Sequence, residues 1–206
     1  MGMTARRRQV EVDQAILEAA YGELLDRGYA GVTYDGVARR AETSKPVLYR
    51  RYPTRASLIF ASLRRRLGAV QPPPATGNLR GDLIAWLDAA QARAAEIGGR
   101  TYRALLGEAD DDLLDAIGAL IGMASGDLER HVIEPARARG ELGPEPLVAE
   151  IAAMPVILLR DRIVFGTATA TDVAEIVDRI CLPLFRGCDD GRPASAPAES
   201  ATQEAQ

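Results

Sequence analysis

The chain has 206 residues, 47% apolar and 26% charged, which is room for one generous domain or two small ones with no need of a staple. Two cysteines (Cys181 and Cys188), one histidine (His131) and no run of 18 uncharged apolar residues exclude a disulfide framework, a histidine-based zinc site and a membrane span. With no secretory signal either, a cytoplasmic protein without a cofactor is expected.

The net charge of −4 hides an asymmetry: residues 1–66 carry 13 basic and 7 acidic side chains, a net of +6, and residues 67–206 carry 12 and 22, a net of −10. That pattern implies a small basic head that meets polyanions and an acidic body that does not.

In chain order, helical periodicity dominates and strand signals are almost absent. Ile16, Ala20 and Leu24 beside Leu17, Tyr21 and Leu25 form one apolar stripe over residues 10–27, and Gly28 ends that helix. Thr33 caps a short helix carrying Val37, Ala38 and Ala41. After the turn Ala41-Glu42-Thr43, Ser44 caps another through Leu48, Tyr49 and Tyr52, with Pro46 in its first turn. Pro53 stops it, and Thr54 caps the next, to about Leu67. The run Gln71-Pro72-Pro73-Pro74 is the natural linker. Helical segments follow near 79–97, 100–108, 111–139, 145–165 and 171–187; Pro135 must kink or end the third, Pro155 should kink the fourth, and Pro183 ends or bends the last. Residues 189–206 hold no Val, Ile, Leu, Met or aromatic residue and are expected to be disordered. The fold class is all-α: a head (1–66) whose three-helix unit contains a helix-turn-helix, a larger helical body (67–188) and a tail (189–206).

Two short helices joined by a tight turn and packed on a longer first helix make a helix-turn-helix. Here the segment Thr33 to Leu58, TYDGVARRAETSKPVLYRRYPTRASL, resembles the N-terminal domain of TetR-family transcriptional repressors. The resemblance implies that the 44–52 helix enters the major groove of double-stranded DNA, with Lys45, Pro46 and Val47 toward base edges. It also implies that Thr33, Ser44, Tyr49, Arg50, Arg51 and Arg55 hold phosphates, and Arg6, Arg7 and Arg8 could form an arm along the backbone or in the minor groove. The family usually has glycine where this chain has Glu42; a left-handed conformation there costs about 1 kcal/mol.

In the body, Ile151, Met154, Ile157 and Leu158 form one stripe and Val173, Ile176, Val177, Ile180 and Leu184 another; they suit either a two-fold seam between two copies or the chain's own core. Gly98, Gly99, Gly107, Gly118, Gly122 and Gly126 imply close helix approach or a cavity. Trp86, Tyr102 and Met123 are the candidate ligand contacts in such a cavity, since repressors of this kind bind an effector in this domain. Asp110-Asp111-Asp112 caps the helix that follows, and His131 sits on a polar stretch.

The reading is a homodimeric repressor that holds a palindromic operator and is released by a small-molecule effector. Its rivals are an interaction module without DNA, and an enzyme; one histidine assembles no Ser/His/Asp or Cys/His set, and there is no glycine-rich phosphate loop.

Overall fold

Helix α1 (Gly2–Gly31) keeps a helical backbone from Gly2 until Gly28, whose φ of +66° and ψ of 172° break it one turn before its end. The backbone of Arg6, Arg7 and Arg8 is part of this helix. In this computed structural model the backbone is described for residues 2–67, 72–166 and 170–189, and side chains for residues 9–66, 72–166 and 173–188. The tail beyond Asp189 and the side chains of Arg6 to Arg8 lie outside them. Of the α1 stripe, Ile16, Ala20 and Leu24 are buried, Leu17 and Tyr21 half-buried, and Leu25 is exposed.

The Thr33 hydroxyl accepts the Gly36 N–H at 3.1 Å and starts α2 (Tyr34–Arg40). Ser44 stands at the cap of α3 (Lys45–Arg51) with extended backbone, but its hydroxyl makes no cap bond. Pro46 has no N–H to give it, and the Val47 N–H already reaches the Ser44 carbonyl at 3.0 Å. Helix α4 (Arg55–Leu67) is entered reciprocally: the Thr54 hydroxyl accepts the Ser57 N–H at 3.0 Å, and the Ser57 hydroxyl accepts the Thr54 N–H at 3.2 Å. Val37, Ala38, Leu48, Leu58 and Ile59 close the head on α1.

The body begins with α5 (Leu79–Ile97), capped by Asn78 onto the Gly81 N–H at 2.8 Å. Gly98, at φ +79°, turns the chain into α6 (Gly99–Gly107). Asp110 caps α7 (Asp111–Leu128), accepting the Leu113 N–H at 2.9 Å. A π turn, Glu129–Ile133, carries α7 into α8 (Glu134–Ala138); α9 (Ala149–Phe165) ends at left-handed Gly166. Helix α10 (Ala170–Ile176) runs through a second π turn, Val177–Cys181, into α11 (Leu182–Asp189). Each π turn immediately precedes the helix opened by a proline, Pro135 or Pro183, whose ring collides with a carbonyl four residues back in a regular helix. The wider turn relieves that collision, so neither proline ends its helix. All elements among the described residues are helices.

Two body expectations divide. Val173, Ile176 and Val177 are fully buried in the chain's own core with Leu83, Leu87 and Phe185, which removes them from any seam. Ile151, Met154, Ile157, Leu158 and Leu184 are half-buried, and Ile180 is 38% exposed. Of the glycines singled out in the body, Gly99 marks a close helix approach: a Cβ there would lie 2.7 Å from the Ile163 carbonyl. Gly107, Gly118, Gly122 and Gly126 face open space.

Candidate DNA interface and effector cavity

Leu48, fully buried, pins α3 to the head core and turns its opposite side outward. Ser44, Lys45, Pro46, Tyr49 and Arg50 are exposed there, and Thr33 is exposed at the start of α2. Tyr49 is fixed from behind: its ring stacks on Tyr34 at 4.1 Å between centroids and 17° between planes. The Tyr34 hydroxyl in turn donates to the Tyr52 carbonyl at 2.6 Å, tying α2 to the end of α3. Lys45 pairs with Asp35 at 2.6 Å, and that bond raises its basicity above an ordinary lysine. Exposed hydroxyls, an ammonium and a guanidinium on one convex helix are donors for phosphate oxygens and base edges.

Three residues expected on this surface are used elsewhere. Val47 is half-buried and packs against the head core. Arg51, only 13% exposed, is salt-bridged to Asp13 of α1, so its charge holds the helix and does not face outward. Arg55 pairs with Glu108 at the end of α6 and lies over the Tyr29 ring, 4.8 Å from its centroid. Their partners are 38 and 53 residues away in sequence, beyond any local pattern. Tyr34, the support of Tyr49, was missed for the opposite reason: its role lies in a ring contact that no capping or charge pattern announces.

The turn between α2 and α3 is left-handed at Glu42, with φ +49°, the only positive φ at a non-glycine among the described residues. The Thr43 N–H closes the turn on the Ala38 carbonyl at 3.0 Å.

A cavity of about 560 Å³ opens between head and body. Its walls come from α5, α6, α7 and α9, with Phe60 and Leu63 of α4 and Pro72 and Pro73 of the linker. Trp86, Tyr102 and Met123 all line it. Trp86 is buried, Tyr102 half-buried, and Met123 is 60% exposed, as the lining residues Phe165 and Leu106 also are in large part. Burial pushes the Tyr102 hydroxyl up to about 12, against the pull of nearby Arg93, so it stays a donor at neutral pH. Arg93 and His131 also line the cavity; sequence reasoning left Arg93 unnoticed because nothing local distinguishes it from a solvated arginine. His131 Nδ1 lies 2.8 Å from the Asp127 carbonyl. Among the described residues no three His, Cys, Asp or Glu side chains gather as metal ligands, and no helix is long and apolar enough to cross a membrane.

Residues 16–61 match the model of the bacterial regulatory proteins of the tetR family, and residues 73–180 match that of the tetracyclin repressor-like C-terminal domain. An uncharacterized HTH-type transcriptional regulator of Mycobacterium bovis is 31% identical over 166 residues, 78% of this chain and 81% of that protein. The DNA-binding transcriptional repressor TetR of Mycobacteroides abscessus is 29% identical over 187 residues, 84% of this chain and 93% of the other. In fold, the chain is similar to a TetR transcriptional regulator from Rhodococcus sp. RHA1, with a TM-score of 0.58 at 17% identity, covering 89% of this chain and 97% of that one. With its helix-turn-helix and most of its body matched in succession, the chain belongs to the TetR family of transcriptional regulators.

Proposed function

We propose that the protein is a homodimeric repressor that holds a palindromic operator through α3 and is released when a small molecule enters the cavity. The observation that carries this reading is the exposed face of α3, where Ser44, Lys45, Tyr49 and Arg50 stand outward while Leu48 anchors the helix from within. A single helix of this size reads few base pairs; a two-fold dimer sets two of them about 34 Å apart, one turn of DNA. Ile180 and Leu184 on the last helical rod, with Ile157 and Met154 on α9, retain apolar surface for a seam between copies. Release requires that the effector bind one arrangement of the two heads better than the other, and a coupling of about 1–3 kcal/mol lowers operator affinity roughly 5- to 150-fold.

The test is a mobility-shift titration on palindromic fragments from the gene's own promoter region, with sedimentation to establish the stoichiometry. The expected result is one dimer per palindrome, with affinity that depends on sequence and falls with salt. Equal, salt-insensitive binding to every fragment overturns the reading.

A further inference from the structure

The cavity lining is mostly apolar, yet it holds a guanidinium with no ion-pair or hydrogen-bond partner among the described residues. Arg93, on α5, is half-buried and makes no ion pair or hydrogen bond among the described residues. Tyr102, on α6, lines the same wall within electrostatic reach of Arg93, and its hydroxyl likewise has no hydrogen-bond partner there. The other charged lining groups differ. Asp127 is paired with Arg130 at 3.2 Å, and Arg160 and Asp161 are exposed at the mouth. Burial depresses the basicity of Arg93, with Tyr102 and exposed Glu96 opposing; a guanidinium nonetheless stays charged. A half-desolvated cation whose nearest carboxylate, Glu96, is solvent-exposed and makes no ion pair with it is costly, and a bound anion lowers that cost.

We propose that the effector is an organic acid: one carboxylate received by Arg93 and the Tyr102 hydroxyl, and an apolar chain or ring lying against Trp86, Leu106, Met123 and Phe165. The one arginine of the lining that is half-buried matches a monoanion, and the guanidinium fork fits the two oxygens of a carboxylate. Leu106, Met123 and Phe165 are 41%, 60% and 70% exposed, and all three line the cavity, so an apolar guest buries their surface. The volume lies within the roughly 300–1,000 Å³ usual for small-molecule sites. This inference rests on the reading of the body as the effector-binding part.

Trp86 is the chain's only tryptophan and lines the cavity, so its emission reports occupancy. The full-length protein is titrated with decanoate and with 1-decanol, which share a chain and differ in the head group. Decanoate is expected to bind at least about tenfold more tightly, one charge-assisted contact's worth. Arg93→Met removes that preference by weakening decanoate far more than 1-decanol, while Arg93→Lys restores part of it; melting curves show that each variant is folded. Equal affinity for acid and alcohol, no response to either, or an acid preference that survives Arg93→Met in the folded protein overturns the inference. Operator binding measured in parallel separates the two readings. A protein that binds its operator but does not prefer the acid refutes the organic-acid ligand alone, and one that prefers the acid but binds no operator refutes the repressor alone.

Discussion

The Tyr29 hydroxyl donates to Glu108 Oε2 at 2.8 Å, joining the end of the first helix to the residue that closes α6. Arg55 binds the other carboxylate oxygen and lies over the Tyr29 ring, so three side chains from α1, α4 and the α6 terminus share one contact. The Arg55 bond is the largest influence on Glu108, with burial opposing it, and holds its carboxyl below the usual carboxylate range. Burial, and then the bond to Glu108, pushes Tyr29 up to about 12. The group therefore stays protonated as a donor throughout the neutral range.

Glu108→Ala is expected to lower Tm by roughly 2–4 °C at neutral pH, since a half-exposed pair is worth at most about 1 kcal/mol. A carboxyl whose folded pKa is depressed stabilises fully above its unfolded value and loses that stabilisation as pH falls through the folded one. The gap between wild type and Glu108→Ala should thus be constant from pH 5 to 8 and shrink only under acid. Melting curves across pH check both; a gap that opens as pH falls contradicts the assigned ion pair.

Arg50 and Arg51 are neighbours in sequence with opposite surroundings, exposed and salt-bridged to Asp13. Arg50→Ala should weaken binding to all DNA sequences alike and reduce the salt slope by about one, without changing Tm by more than a degree or two. Arg51→Ala should lower Tm by several degrees, because it leaves Asp13 unpaired and α3 unbraced against α1. Fluorescence anisotropy at graded salt, set beside melting curves, separates the pair. A large loss of salt slope in Arg51→Ala, with Tm unchanged, would restore it to the DNA face.

Glu42 occupies the left-handed turn position at φ +49°. Glu42→Gly is expected to stabilise the protein by about 1 kcal/mol, or a rise of roughly 2–4 °C in Tm, because glycine adopts that conformation without the steric cost of a Cβ. Removing a carboxylate beside the DNA-facing helix should also strengthen operator binding at low salt. Unchanged Tm would mean that the turn is unstrained.

Asp82 is a buried carboxylate, 4% exposed, that ties the linker to the body. Its Oδ1 accepts the Thr76 N–H at 2.5 Å and the Thr76 hydroxyl at 2.8 Å, and Oδ2 accepts from Arg139 at 2.9 Å. Burial alone would raise its pKa; the Thr76 bonds and then Arg139 overcome this and hold it below the usual range. Asp82→Asn should cost about 2 kcal/mol, or roughly 4–8 °C in Tm. The cost should fade as pH falls through the depressed value, since the wild-type carboxyl then takes up its own proton. Chemical denaturation at pH 7 and pH 3 measures it.

The helices were readable wherever a local signal starts or stops them: Thr33 onto Gly36, Asp110 onto Leu113, Gly28 in the left-handed region. Where two outcomes share one local pattern, the sequence was silent. Pro135 and Pro183 announce a disturbed ladder, but whether the helix stops or widens depends on what packs around it. The apolar stripe of 173–177 is the same whether it faces a partner or the chain's own α5, and tertiary packing decided for the latter. Charges were hardest of all. Arg50, Arg51 and Arg55 are alike in a list of residues, and only long-range carboxylates, Asp13 and Glu108, tell them apart.

Leu105 of α6 and Leu113 of α7 are buried in the head's core, while Phe60 and Leu63 of α4 form part of the cavity wall. Head and body are therefore not interchangeable parts. A chimera that grafts residues 1–66 onto a foreign body must find there apolar side chains that fill the places of those two leucines. A truncation that keeps only the body opens one side of its chamber to water and bares both leucines.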